Sequence, residues 1–372
     1  MSIGARGSDK QPFCRICMNT FLKPNLKYIK GRHPEFNEAV LKNRLKNIYW
    51  PVWKRPCVCE VTVNYACNSR CRFCYNRLSP AKGSTEPDFK TAARVLAEGR
   101  KRGAWLAVII GGEPTLREDI CRLAALAVKL GYPCVKLCTN GLRLADRTYA
   151  GRLVDSGFNM IDISLHGVRP EIHDTLVGVP GAFLKVMRAM ENVRALKAEL
   201  GTNHVVNRLN YKTFPEFFRF ALLELGINYF NIIYSNYRGE MARNAAGLKV
   251  KISLAAPYIA RGLAAYKLGA APALSGILVN FPPCIMPGFQ HLSADWKLSS
   301  AQQDETLMLP DGRSVSMHLM KDKQKLKPRA CAACVFFGRC RGIDREYLEI
   351  FGAGEFVPLK REPPLSEIRS LL

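Results

Sequence analysis

Cys67-Asn68-Ser69-Arg70-Cys71-Arg72-Phe73-Cys74 sets three cysteines at x3 and x2 spacing, directly after the apolar, β-branched run Val58-Cys59-Glu60-Val61-Thr62-Val63. A loop this short can wrap one compact metal object, yet it offers only three thiolates. A four-iron, four-sulfur cluster has four corners, so three protein ligands leave one iron open to a non-protein ligand. Zinc competes for such residues, but a structural zinc site takes four ligands, commonly as two C-x2-C pairs. A disulfide framework does not suit an odd trio in a chain whose first residues, Met1 to Lys10, are polar and show no export signal.

Outward from this loop the chain alternates short apolar runs with amphipathic helices. Helices are expected over 88–102, 118–130, 147–155, 183–200 and 215–225, most of them stopped by a glycine. Strands are expected over 57–63, 105–110, 135–138, 160–165, 205–207 and 229–234. Such alternation implies an α/β fold of parallel strands with right-handed crossovers, its strand-end loops gathered on one rim. Gly111-Gly112-Glu113-Pro114 follows the second strand at that rim, Thr139-Asn140-Gly141 the third, and Ser164-Leu165-His166-Gly167 the fourth. Asn207 ends the fifth. Asn-Gly turns and strand-end Ser or Asn caps are ordinary local structure as well. His166 and His173 are acid–base candidates that also suit plain loop positions. Arg238 and Arg243, after the sixth strand, are candidates to meet a carboxylate.

Cys67-x3-Cys71-x-Phe73-Cys74 resembles the defining motif of the radical S-adenosylmethionine (radical SAM) enzymes, and Gly111-Gly112-Glu113-Pro114 resembles their GGEP motif. The resemblance covers about residues 56–250. It implies a partial (β/α)6 TIM-type barrel with Cys67, Cys71 and Cys74 holding a catalytic [4Fe-4S] cluster. SAM would chelate the open iron and be cleaved to a 5′-deoxyadenosyl radical that abstracts hydrogen from a substrate. Gly111, Gly112 and Glu113 would seat the SAM ammonium group, Phe73 would pack near its adenine, and Ser164 and Asn207 would line its pocket. The cofactor carries the difficult chemistry, and the protein supplies position and exclusion of water.

A second cysteine group lies near the C-terminus: Cys331-x2-Cys334-x5-Cys340, with Cys284 upstream. Four thiolates close a cubane completely, and structural zinc suits the same four. The spacing resembles part of the SPASM/twitch extensions that carry auxiliary clusters in radical SAM enzymes. It departs from the full pattern, with Asp344 where a further cysteine stands and none after Cys340. One auxiliary [4Fe-4S] cluster is therefore expected, making two in all, with Cys284 as the fourth ligand and Asp344 as an oxygen substitute. Cys14 and Cys17 could join Cys57 and Cys59 in a further four-thiolate site, or Cys57 and Cys59 are small buried residues of a strand. Cys121, Cys134 and Cys138 read as core.

The resulting organisation is a basic N-terminal extension (1–55), the barrel (56–250), a helical linker (251–283), a small cysteine-rich auxiliary cluster domain (284–345) and a tail (346–372). The 55 Lys and Arg against 31 Asp and Glu leave a net charge of +24. That points to an acidic partner or to a solvated basic surface. The run Lys321 to Arg329 carries a cation at every second position, which an extended segment would present as a rail for an anionic substrate. No run is apolar enough to cross a bilayer, and a cytoplasmic location is expected. The expected activity is radical oxidation of a peptide or protein. The alternative is modification of RNA or of a nucleotide-derived cofactor precursor, although no nucleic-acid module is recognisable. A low-potential donor such as ferredoxin or flavodoxin is the expected electron partner. A zinc-stabilised nucleic-acid-binding protein is the rival of another class, and in it the Gly-Gly-Glu turn has no purpose.

Overall fold

The computed structural model describes residues 58–75, 86–227, 229–265, 278–295, 306–308 and 314–363. Strand β1 (Val58–Thr62) pairs in parallel with β2 (Leu106–Ile110), and β3 (Cys134–Thr139), β4 (Met160–Ser164), β5 (Glu199–Val206) and β6 (Tyr229–Tyr234) follow in spatial order. Parallel pairs need crossovers, and helices α1 (Phe89–Lys101), α2 (Ile120–Lys129), α3 (Arg147–Asp155), α4 (Pro170–Val177), α5 (Ala182–Ala195) and α6 (Phe214–Arg219) provide them. The short β7 (Leu278–Val279) adds to β6 in the same sense, so seven parallel strands form a half-barrel. The other edge is extended by β8 (Thr306–Met308), parallel to β1, and by β9 (Ser314–Ser316), antiparallel to β8. Strands from the cysteine-rich region thus join the barrel sheet itself.

Local sequence accounts for the helix starts. Asp88 caps α1 by accepting from the Thr91 amide at 2.8 Å, and Asp146 caps α3 by accepting from Thr148 and Tyr149. The buried face of α1 is Ala92, Val95, Leu96 and Gly99, the spacing of a helical stripe laid on a sheet. The main core fills the space between the sheet and these helices, with Val61, Ile109, Leu137, Ile161, Phe217 and Phe230 fully enclosed. A second, smaller cluster of Trp105, Leu106, Val108, Cys134 and Met160 closes the concave side at the N-terminal ends of β2, β3 and β4.

Two stretches differ from the sequence reading. The helix expected over 183–200 ends at Ala195, and β5 begins at Glu199, six residues before the strand expected at 205. Ala198, Glu199 and Leu200 favour helix, but Glu199 and Leu200 pair with Met160 and Ile161 of β4, and that ladder overrides propensity. Lys197 makes the break at a positive φ of 59°. The supposed basic rail is not extended: α10 (Met317–Gln324, after α7 Gly239–Arg243, α8 Ala245–Leu248 and α9 Ile252–Ala265) holds Lys321 and Lys323. The chain then enters β10 (Lys325–Leu326), antiparallel to β11 (Ile343–Asp344), which α11 (Arg345–Phe351) follows. Lys325 is buried with its ammonium 3.2 Å from Asp344 and 3.6 Å from Asp295, so it faces no solvent.

A Cβ added at Gly99 would stand 2.5 Å from Cys59 Sγ and 2.8 Å from the Tyr132 hydroxyl. Gly99→Ala is therefore expected to push α1 off the sheet, lowering stability by about 1–3 kcal/mol despite the better helix propensity of alanine. A thermal melt in which the variant matches or exceeds the parent contradicts this packing.

Candidate active site

The cysteine loop is held by backbone on three sides. Beyond the β1–β2 ladder, the amides of Val63, Gly112 and Glu113 pair with the carbonyls of Ile110, Asn64 and Ala66, each at 2.8 Å. On another side the amides of Arg70 and Arg72 donate to Val177 and Leu176 at the end of α4, both at 2.9 Å. On the third, the Cys74 carbonyl accepts from the Glu240 amide at 2.9 Å, and Asn244 Nδ2 donates to the Arg72 carbonyl at 3.1 Å.

The two rim glycines owe their place to this loop. A Cβ at Gly111 would lie 2.2 Å from Asn64 Oδ1, and one at Gly112 would lie 2.3 Å from the Tyr65 carbonyl and 2.4 Å from that of Ala66. Their smallness lets backbone meet backbone, whereas the sequence alone pointed to close approach of a ligand. Both also line the central cavity.

Glu113 departs from expectation in position. It is wholly buried and is not among the cavity's lining residues. Its Oε1 accepts from the Thr115 amide (3.0 Å) and from the Thr115 and Thr139 hydroxyls (2.7 Å each), and its Oε2 from the Asn140 amide (2.7 Å). Burial pushes its carboxyl up, and these donors pull it back. The carboxylate thus knots the loop after β2 to the loop after β3. Asn140, so fixed, directs its Nδ2 to Asn68 Oδ1 (2.7 Å) and Ser69 Oγ (3.1 Å) and stands 3.9 Å from Cys67 Sγ.

Cys67, Cys71, Phe73 and Cys74 all border a cavity of about 510 Å³ inside the half-barrel, as do Gly111, Gly112, Asn140 and Ser164. That volume is in the range of small-molecule sites. Three soft thiols at the mouth of a nucleoside-sized cavity suit an iron–sulfur cluster carrying a further ligand. Among the described residues, no three His, Cys, Asp or Glu side chains converge to hold a single metal ion. Phe73 is 8% exposed and sets its ring 4.4 Å from that of His166, edge to face.

His166 and His173 also reach the cavity wall, but as structural acceptors. His166 Nδ1 accepts from the Val205 amide and His173 Nδ1 from the His166 amide, both at 3.2 Å. Burial holds both imidazoles neutral, that of His173 at about 4. Asn207 does not reach the cavity. It is fully buried, its Oδ1 accepting from the Leu209 amide (2.9 Å) and its Nδ2 donating to the Val205 carbonyl (3.1 Å), a turn that absorbs its side chain. Arg238 and Arg243 meet carboxylates of their own chain, Glu346 at 2.6 Å and Glu240 at 2.7 Å. Cys138, read as core, lines the cavity together with Glu60, Lys136 and Asp162, polar residues on the concave face that periodicity alone did not single out. Cys59 is buried with its thiol 3.6 Å from the Val95 carbonyl, while Cys14, Cys17 and Cys57 lie outside the described residues.

The second cysteine group does assemble. Cys284, Cys331, Cys334 and Cys340 line one small apolar pocket with Pro282, Phe336 and Phe356. The Cys284 thiol is pushed up to about 12, by burial first and then by Cys340, Cys334 and Cys331 around it. Four thiols gathered in one pocket are a donor set for a soft cationic centre, whose binding displaces their protons. Asp344 is engaged by Lys325 and stands outside that set.

Residues 61–221 match the family described as the radical SAM superfamily. A probable GTP 3′,8-cyclase of Sulfolobus acidocaldarius is 32% identical over 167 residues, 44% of this chain and 51% of that protein. The PqqA peptide cyclase of Methylorubrum extorquens is 30% identical over 186 residues, 50% of this chain and 48% of that protein. The chain spans about half the length of the curated relatives it matches. The crystal structure of Streptococcus suis SuiB bound to S-adenosylmethionine shares the fold, with a TM-score of 0.57 at 15% identity over 92% of this chain and 88% of that one. Its complex with the precursor peptide SuiA gives 0.54 at 16% over the same shares.

Glu113→Ala would strand the Thr139 hydroxyl and the Thr115 and Asn140 amides, at about 1–3 kcal/mol for each buried donor left unmade. A fall in stability well beyond that of an exposed Glu→Ala change is expected, with Glu113→Gln intermediate. Equal melting temperatures for all three proteins contradict the knot.

Proposed function

This chain carries a radical SAM domain across residues 61–221, and on that premise we propose that it is a peptide- or protein-modifying radical SAM oxidoreductase. Cys67, Cys71 and Cys74 hold the catalytic [4Fe-4S] cluster, and Gly111, Gly112 and Ser164 border the SAM site. Once bound, the cluster and SAM supply a 5′-deoxyadenosyl radical able to abstract hydrogen. The chain's own part is placement: three backbone clasps fix the thiols, Asn140 orders the turn beside Cys67, and the half-barrel walls shield the cavity from water. Cys284, Cys331, Cys334 and Cys340 hold one auxiliary [4Fe-4S] cluster in a SPASM/twitch-like extension, to accept the substrate's electron or to ligate the substrate. A ferredoxin- or flavodoxin-type donor and a cytoplasmic setting complete the reading.

One observation carries the substrate class. Among the described residues that line the cavity, Lys136 is the sole Lys or Arg, and Asp162 already holds it at 3.0 Å. A nucleoside triphosphate calls for several cations or bidentate guanidinium groups, and this wall presents none to spare. A peptide segment needs mixed donors and acceptors, which Ser164, Asn203, Asn231, Ser235 and Asn236 provide. The PqqA peptide cyclase relative and the SuiB–SuiA complex support the same class. Modification of RNA or of a nucleotide-derived precursor is the second reading, favoured by the +24 charge and by the GTP 3′,8-cyclase relative.

Anaerobically purified protein should contain about eight irons with matching sulfide, falling to about four in Cys334→Ala; zinc without sulfide overturns the assignment. Reduced protein with SAM should release deoxyadenosine, and Cys71→Ala should abolish it. A tRNA mobility shift that weakens steeply with salt would favour the second reading, since such binding runs on counterion release.

A further inference from the structure

The concave wall changes character with depth. Near the N-terminal ends of the strands it is apolar, through Leu106 and Val108, and level with them and just above stand Glu60 on β1, Lys136 on β3 and Asp162 on β4. Lys136 Nζ lies 3.0 Å from Asp162 Oδ2, the two side chains being 6% and 1% exposed. The other oxygen, Asp162 Oδ1, is equally buried and accepts no hydrogen bond. Buried polar atoms are almost always paired, and an orphaned oxygen on a buried carboxylate is a standing cost that a ligand donor would remove. Among the described lining residues, Asp162 thus keeps one carboxylate oxygen unused beside the Lys136 ammonium that holds the other. Beside them Asn231 Nδ2 donates to Asn203 Oδ1 at 2.7 Å, which ties those amides to each other.

Resting on the reading above, we propose that this layer is the substrate-anchoring subsite, where Asp162 Oδ1 accepts a hydrogen bond from the cationic side chain of a lysine or arginine in the peptide. Lys136 holds Oδ2 and so sets the carboxylate's orientation, leaving Oδ1 for the guest. The aliphatic stem of such a side chain packs on Val108 and Ile110, the apolar part of the same wall. The layer below the cysteine rim thereby selects which residue of the peptide is brought under the cluster.

The test uses the anaerobically purified full chain and two probes, Nα-acetyl-lysine N-methylamide and its norleucine counterpart, which shares the stem without the ammonium. Titration followed by ligand NMR should show the lysine probe binding about tenfold tighter or better, the scale of one charge-assisted hydrogen bond. Asp162→Asn, and the charge-neutral pair Lys136→Gln with Asp162→Asn, should erase that preference. Saturating SAM should leave the lysine probe bound. Equal affinity for the two probes, no binding of either, preference retained in both variants, or displacement by SAM overturns the proposal. The probe comparison on the parent protein stands even where a variant fails to fold. Deoxyadenosine release is measured separately on the same preparation: its absence sinks the radical SAM reading and leaves the subsite result intact.

Discussion

The site depends on one constraint: the backbone of the cysteine loop must lie against the backbone of the loop after β2. The β1–β2 ladder continues past the strand ends through the amides of Val63, Gly112 and Glu113, and only residues without a Cβ fit where Gly111 and Gly112 stand. Everything that positions the three thiols follows from it. The α4 carbonyls and the start of α7 close on a loop already tethered at its base.

Glu113 extends the constraint sideways. A buried carboxylate carries a desolvation cost, and here four donor contacts from Thr115, Thr139 and Asn140 offset part of that cost. The same atoms that stabilise the charge join two rim loops, so the turn beside Cys67 is ordered by a group that never reaches the cavity. The histidines act in a similar way. Neutral and buried, His166 and His173 use Nδ1 to satisfy strand and loop amides behind Phe73.

Charge is distributed against the average. The chain is basic overall, yet the described cavity wall carries Glu60 and Asp162 against Lys136. Behind the auxiliary pocket, and not lining it, a further lysine, Lys325, is enclosed by Asp295, Asp344 and Asn280, which links β10, β11 and the end of β7. Burial lowers the Lys325 ammonium and the two carboxylates more than restore it. Net charge therefore says little about what either pocket takes.

Spacing of cysteines along the chain, glycine stops and the alternation of apolar runs with helices were enough to read a parallel α/β fold, the three-cysteine loop at its rim and four further thiols belonging together. Those are local properties, written in residue type and interval. Tertiary structure alone decided the rest. The ladder with β4 turned the helix-favouring Glu199 and Leu200 into strand, and β8 joined the sheet from nearly 250 residues away in sequence. The turn around Asn207 withdrew its amide from the cavity, and packing enclosed Glu113 and Lys325, whose neighbours come from distant segments. The acidic layer of Glu60, Lys136 and Asp162 is of the same kind: each residue is an isolated charge in its own strand. They become one surface because parallel pairing sets all three on the concave face, and no interval in the sequence records that pairing.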